Sequence, residues 1–435
     1  VSLVLGVLFL LGVIGFIMRL SDGVGDKAIW GYYAALFAFI LTTAQAAPMV
    51  AIAPRIAKAH WRRPISRAAE LWSLVGLFNL LLFIPLLWVL PSLEDGRRSL
   101  WFFDPKHSQF SNVPVFSPHI WATLALVSLV IIGLMLLWVS SLPDMAAIRD
   151  NSNGWRQRWA KRLAFGWQGT SAQWNMLYHR MGMLGALYFV MLVFVHFLIS
   201  VDFAMTLVPG WIDALFPITH AANALQAGVA TVLLTMFCLR QFGGYKDHIG
   251  LEQFWGLGKL LFALSLLWFW FWFSSFIVMW YGKKPSEQSA LDLIMVGPYL
   301  PAFMTAFVLN FVVPLFTMIW NPLRKSIWGP TIIATSVLIG TFFDRIRLYV
   351  ASYSVPGIGN PLVDKHELHT IPMAIMPDLA DVFVIVGAIA GSILLYMLAT
   401  RIIPAVNIWE QKELLLYKIH KPFHRSEVMV LGKHD

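Results

Sequence analysis

The stretch HFLISVDFAMTLVPGW, His196–Trp211, carries a histidine and an aspartate along an apolar run and then breaks at Pro-Gly-Trp. Proline has no backbone N–H to give and glycine frees the backbone, so a helix reading through this stretch must stop there. Traced backwards, the apolar sequence continues to about residue 182. That exceeds the roughly 20 residues needed to cross about 30 Å of hydrocarbon. The stretch is therefore read as the end of a membrane-spanning helix. An ionisable side chain inside such a helix costs several kcal/mol unless it is paired or hydrated, which makes His196 and Asp202 functional candidates.

The rest of the chain agrees. Its 435 residues are 58% hydrophobic and only 13% charged, whereas soluble domains run near one quarter charged. The 20 Trp and 32 Phe suit aromatic belts at two membrane interfaces. The single cysteine, Cys238, rules out an internal disulfide, and it rules out an iron–sulfur cluster or Cys-based zinc site held by this chain alone. No other metal site is expected. The first apolar stretch has neither a basic leader nor a small-residue cleavage site, so it reads as a span rather than a signal peptide.

Spans are expected near 1–20, 31–53, 70–91, 118–142, 182–208, 216–240, 256–282, 297–321, 329–352 and 379–402, an all-α polytopic membrane protein of about ten helices. Twenty-one of the 32 Lys and Arg lie in one set of loops and the tail, eight in the opposite set, and Lys259, Arg345 and Arg347 lie within helices. The positive-inside rule then places both termini in the cytoplasm and the loops at 92–117, 209–215, 283–296 and 353–378 outside. The net charge of +9 is explained by this asymmetry, without nucleic acid as a partner.

Besides His196 and Asp202, the spans carry Lys259, Asp344, Arg345 and Arg347, with Glu252 and His220 at helix ends. Asp344 and Arg347 are three residues apart on one helix face and can neutralise one another. Two readings stand: structural ion pairs with capping, or a proton or quinone path through the outward half. Lys259 lies close enough to its helix end to snorkel. Haem ligation needs two inward histidines at matching depth on neighbouring helices. Only His196 is well inside, with His119 and His220 near outward ends, so no haem is expected. No phosphate-binding loop is present, since GLGKLL starts a helix.

Five segments resemble the NrfD/PsrC family of membrane quinone-interacting subunits, most closely the ActC-type subunit of alternative complex III. SLPDMAAIRD (Ser141–Asp150) is similar to the family's LPDLATLRD-type helix end, and GWQGTSAQW (Gly166–Trp174) to its GWRGSxxHW loop. SVDFAMTLVPGWIDALFP (Ser200–Pro217) resembles SFDFATSLIPGWHTTIFP. WYGKKPSEQ (Trp280–Gln288), followed by GPY at Gly297–Tyr299, resembles WYSGNPYEQ. FFDRIRLYVAS (Phe342–Ser352) is similar to WFERFVIIVTS. The resemblance covers about residues 31–405.

It implies two four-helix bundles, helices 2–5 and 6–9, flanked by helices 1 and 10. The corresponding divisions are 1–30, 31–208, 209–352 and 353–435. It also implies a bound quinol, menaquinol or ubiquinol, near the outward face, with no haem or iron–sulfur cluster in the chain itself. The implied setting is the bacterial cytoplasmic membrane. The implied partners are an outward iron–sulfur subunit, a homologous NrfD-type membrane subunit, multihaem cytochrome c subunits and lipids.

At the family's quinol-binding His this chain has Trp88, and at its partner Asp it has Ala122. His119, three residues before Ala122 on the same face, is the replacement candidate. The quinol-side residues are then Trp88, His119, Trp121, Asp202 and Phe203. Asp144, His196, Asp202, Glu252, Asp344 and Arg345 are the proton-path residues. A working quinol subunit and a paralogue acting as scaffold or proton conductor both fit. A stand-alone transporter fits less well, for want of paired discontinuous helices.

Overall fold

A computed structural model describes residues 1–91, 118–357, 368–423 and 426–431, with side chains described as far as Leu415. The loop expected at 92–117, with Arg97, Arg98 and Lys106, and the part of the later loop that holds Lys365 lie outside the described residues.

Among the described residues, eight helices are long and apolar enough to cross a membrane: α1 (Ser2–Ser21), α4 (Ser66–Val89), α5 (His119–Asn151), α7 (Ser171–Leu207 with its terminal turn), α8 (Phe216–Phe242), α9 (Leu251–Gly282), α10 (Leu300–Met318) and α12 (Leu379–Ala399). The other two expected spans are present in altered form. One is split into α2 (Gly31–Thr43) and α3 (Met49–Ile56). The other is α11 (Trp328–Arg345), which runs on through a π-turn at Ile346–Val350 and carries three charges. At the basic end, α6 (Gly154–Leu163) and α13 (Ile408–Tyr417) lie outside the spans. The tail ends in an antiparallel hairpin, β1 (Lys418–Phe423) with β2 (Ser426–Leu431), which a purely helical reading did not include.

The split in the second span has a local cause. Pro48 cannot donate a hydrogen bond to the preceding turn, and the chain makes irregular turns over 44–48 before α3 begins. Irregular backbone at membrane depth survives only where protein satisfies it. Here the Tyr188 hydroxyl donates to the Gln45 carbonyl oxygen, and Asn79 Nδ2 donates to Gln45 Oε1 at 2.7 Å. Gly228 of α8 fits directly against this turn, because a Cβ there would stand 2.7 Å from the Ala46 carbonyl carbon.

α8 is the hub, packing on α2, α7, α9 and α11, while α5 packs on α7 and α10 on α11. α1 pairs with α12 alongside and leaves most of its apolar surface exposed, as a lipid-facing helix would. Their crossing needs glycine on both sides. A Cβ on Gly12 would lie 2.6 Å from Gly387 Cα. Buried Arg19 closes the end of this pair on Asp378 (2.7 Å) and Asp381 (2.8 Å). Replacing Gly387 with Val should push the two helices apart and cost about 1–3 kcal/mol, the usual range for overpacking. A lowered thermal unfolding midpoint of the purified protein would register this; an unchanged midpoint would mean that the close crossing does not form.

Candidate functional site

The opening stretch meets its break as expected. α7 ends at Asp202, a short 3-10 turn follows at Met205–Leu207, and Gly210 takes the left-handed φ of 77° that Pro-Gly allows. The helix stops some residues before the expected 208, and Thr206 Oγ1 donates to the freed Asp202 carbonyl oxygen at 3.2 Å. Asp202 and Phe203 are both buried.

Phe203 belongs to an aromatic column at this end of the fold. Its ring lies 5.2 Å from Phe83, which lies 5.2 Å from Phe37, and the half-buried His119 ring meets Phe203 edge-on at 6.3 Å. His119 and Phe203 are thus brought together, with Asp202 the buried residue before Phe203 in the chain. Trp88 and Trp121 are not: they are 67% and 46% exposed, with their rings turned outward. Ala122 is buried.

The larger polar assembly centres on α8. His196 of α7 and His220 of α8 are both buried, with their Nδ1 atoms 2.8 Å apart. His220 Nε2 lies 3.1 Å from the Tyr349 hydroxyl. An Nδ1–Nδ1 contact needs one ring as donor and the other as acceptor. In a neutral pair that fixes the rest. If His220 donates, its Nε2 accepts from Tyr349 and His196 carries its proton on Nε2. If His196 donates, His220 donates on to the tyrosine oxygen. The row therefore has two opposite polarities, and passing between them moves a proton equivalent along it.

Beside it, Asp344 pairs with Arg347 at 2.7 Å and Arg345 at 3.5 Å, the first of which the spacing in the sequence anticipates. Arg345 then donates to Asn223 Oδ1. Asn223 Nδ2 donates to Gln226 Oε1 at 3.2 Å, and Gln226 Nε2 donates to Ser265 Oγ and the Asn310 carbonyl oxygen, both at 2.8 Å. Asn310 and Arg347 sit on π-turns, Val308–Val312 and Ile346–Val350. Such bulges interrupt the helix ladder and are frequent at functional positions.

Several buried polar atoms here have no partner among the described residues: His196 Nε2, Arg345 Nε and Nη1, Arg347 Nη1 and Asn310 Nδ2. Unsatisfied buried polar atoms in such a cluster mark places where water completes the network. A cavity of about 20 Å³, room for one water, is bordered by Trp211, Asp213, His220, Trp272, Asp344 and Arg347. Asp213 lies outside the spans at its rim. Burial pushes its carboxyl above the ordinary aspartate range, against hydrogen bonds from Ser275 Oγ and from Leu215 N (2.9 Å). Asp213 thus holds a proton to higher pH than a free aspartate does.

Two expected proton-path residues lie elsewhere. Asp144 sits at the basic end, paired with Arg67 at 3.2 Å, and its Oδ1 accepts from Ile408 N and Trp409 N at 3.1 Å, capping α13. Glu252 is exposed in the first turn of α9, where the helix dipole favours a carboxylate. Sequence reasoning placed His220 at a helix end and did not single out Tyr349, Asn223, Gln226, Asn310 or Asp213. The i,i+3 spacing of Asn223 and Gln226 in an apolar helix was the available signal.

The fold and this buried network define a multi-pass membrane protein with helical spans, whose interior carries charged and hydrogen-bonding groups between helices. Residues 21–357 match the family described as Polysulphide reductase, NrfD, so the chain belongs to the NrfD family. Its members are membrane subunits of redox complexes of the quinol-oxidoreductase and polysulphide-reductase type, and they partner with iron–sulfur subunits. No curated protein matches the chain.

Proposed function

We propose that this chain is the membrane subunit of a quinol:electron-acceptor oxidoreductase of the alternative complex III kind, and that it carries protons between its helices. In this reading 31–208 and 209–352 are the two four-helix bundles, set in a bacterial cytoplasmic membrane with both termini inside. An extrinsic iron–sulfur subunit sits on the outward face and passes electrons towards multihaem cytochromes c, beside a homologous NrfD-type subunit.

The observation that carries the reading is two buried networks side by side, His196–His220–Tyr349 and Asp344–Arg345–Asn223–Gln226–Asn310, since ionisable groups buried in a bilayer are costly and mark ion and proton paths. His196 and His220 belong to different proposed bundles, so the first network joins the quinol side to the proton side. On the quinol side, oxidation of menaquinol or ubiquinol releases two protons and two electrons, and a base within hydrogen-bond reach must take each proton. His119 beside Phe203 is the group we assign there.

A second reading is favoured by Trp88 facing outward and Ala122 being buried: the quinol site is lost and the chain serves as scaffold and proton conductor. Turnover of reduced quinol by the purified complex separates the two. Under the first, His119→Ala lowers turnover by about 10²-fold or more, the scale of a lost general base. Unchanged turnover in both His119→Ala and Asp202→Asn would sink the quinol assignment and leave the second reading.

A further inference from the structure

The basic end of α9 carries an arrangement that neither electron nor proton transfer uses. Lys259 Nζ stands 4.1 Å from the Trp255 ring centroid, and Lys325 Nζ stands 4.8 Å from the same ring. Two ammonium groups sharing one indole are no more than about 9 Å apart, within a Debye length in ordinary salt, so they repel. Both are exposed, and neither forms an ion pair with a carboxylate among the described residues, where the lysine pair is Lys284–Glu287.

A third cation adjoins them. The Arg324 stem lies 3.6 Å from where a Gly258 Cβ would be. Its Nη1 and Nη2 are used on Met318 O (3.1 Å) and Asn321 Oδ1 (2.6 Å), while its buried Nε–H has no acceptor. The Trp255 indole N–H is likewise buried without an acceptor. Glu252, one turn before Trp255, is the acidic group on this part of α9. It is exposed and makes no ion pair among the described residues.

Two cations over one ring, a third packed against Gly258 one turn further along α9, and two idle N–H donors describe a site for an anion with several oxygen acceptors. Its surroundings say which kind. Trp320 and Trp328 are exposed nearby, as residues of an interfacial belt are. Below Lys259, at helical spacing along the same face of α9, Leu266, Trp270, Phe273 and Ile277 form an exposed apolar ridge. We infer that Lys259, Lys325, Arg324 and Trp255 hold the phosphate headgroup of an anionic phospholipid, whose acyl chains lie along that ridge. Basic pockets between helices on the positive side of a membrane protein are suited to such headgroups.

The test uses the full chain, purified with whatever subunits accompany it. Lipid retained after extensive detergent washing is measured by mass spectrometry, and thermal midpoints are measured with added phosphatidylglycerol, phosphatidylcholine or inorganic phosphate. The expected result is retained anionic phospholipid, with a midpoint raised by phosphatidylglycerol alone. The double variant K259Q/K325Q should hold at least about ten-fold less of it, and K259R/K325R should keep it. Should the double variant fail to fold, K325Q, on the exposed turn, carries the same readout. Equal retention in wild type and glutamine variants overturns the site. A shift given equally by inorganic phosphate overturns the lipid and points to a soluble anion.

Discussion

An Asp344→Asn variant is expected to lose proton translocation and to be markedly less stable, and the two effects have one origin. Asp344 is buried and is shared by two buried guanidiniums, Arg347 at 2.7 Å and Arg345 at 3.5 Å. Removing the carboxylate leaves both charges uncompensated in a low-dielectric interior, which costs about 3–5 kcal/mol for a broken buried pair. The same change removes the titratable group at the end of the row that continues through Arg345, Asn223 and Gln226. Stability and transport are separated by an Asp344→Asn, Arg347→Met double variant. Removing both partners of a buried pair is often near neutral, so that protein should regain part of its thermal midpoint, the remainder being lost because Arg345 stays without its carboxylate. It should still fail to move protons in liposomes during quinol oxidation. Wild-type proton movement in either variant would remove Asp344 from the path.

The second large effect is expected at the other end. Glu410 of the tail helix is buried and accepts from Arg62 at 2.6 Å, from Asn407 Nδ2 at 2.6 Å and from Arg55 at 3.5 Å. Glu410→Gln should cost about 3 kcal/mol, because Arg62 loses its carboxylate while Arg55 is left with Glu70 alone, at 2.9 Å. It should also loosen the docking that Asp144 secures by capping α13. Faster proteolytic release of the tail than in wild type is the direct readout; identical cleavage would show that the latch does not depend on this carboxylate. Burial alone would raise the Glu410 carboxyl, but Arg55 and Arg62 outweigh it and hold it below the usual glutamate value of 4.5. The folded pKa is therefore the lower one. The stabilisation is present in full above about pH 4.5 and is lost as pH falls through the folded value. Tail release in the wild type should accelerate with acid over that window, and in Glu410→Gln it should not.

How far the candidate site could be read differs from residue to residue. The Asp344–Arg347 pair was legible because both partners lie on one helix face. Asp202 and Phe203 stood out inside a motif. Trp88 could be named from its place in the sequence, but the direction of its ring depends on how α4 rotates against its neighbours. Asp144 looked like a proton carrier because it follows an apolar helix. Its part as a cap appears only once residues 408 and 409 fold back from far along the chain.

By itself the sequence determined that this is a many-spanning helical membrane protein with a basic end, because apolar length and Lys/Arg asymmetry answer to bilayer thickness and surface charge. It also determined the family, through motifs that are local strings. Only the tertiary structure decided that His196 and His220 share a hydrogen bond, that Asn310 lies against Gln226, and that the second span breaks around Gln45. Those contacts join residues on different helices. Their existence rests on helix rotation, depth and crossing, which the periodicity of a single helix does not encode.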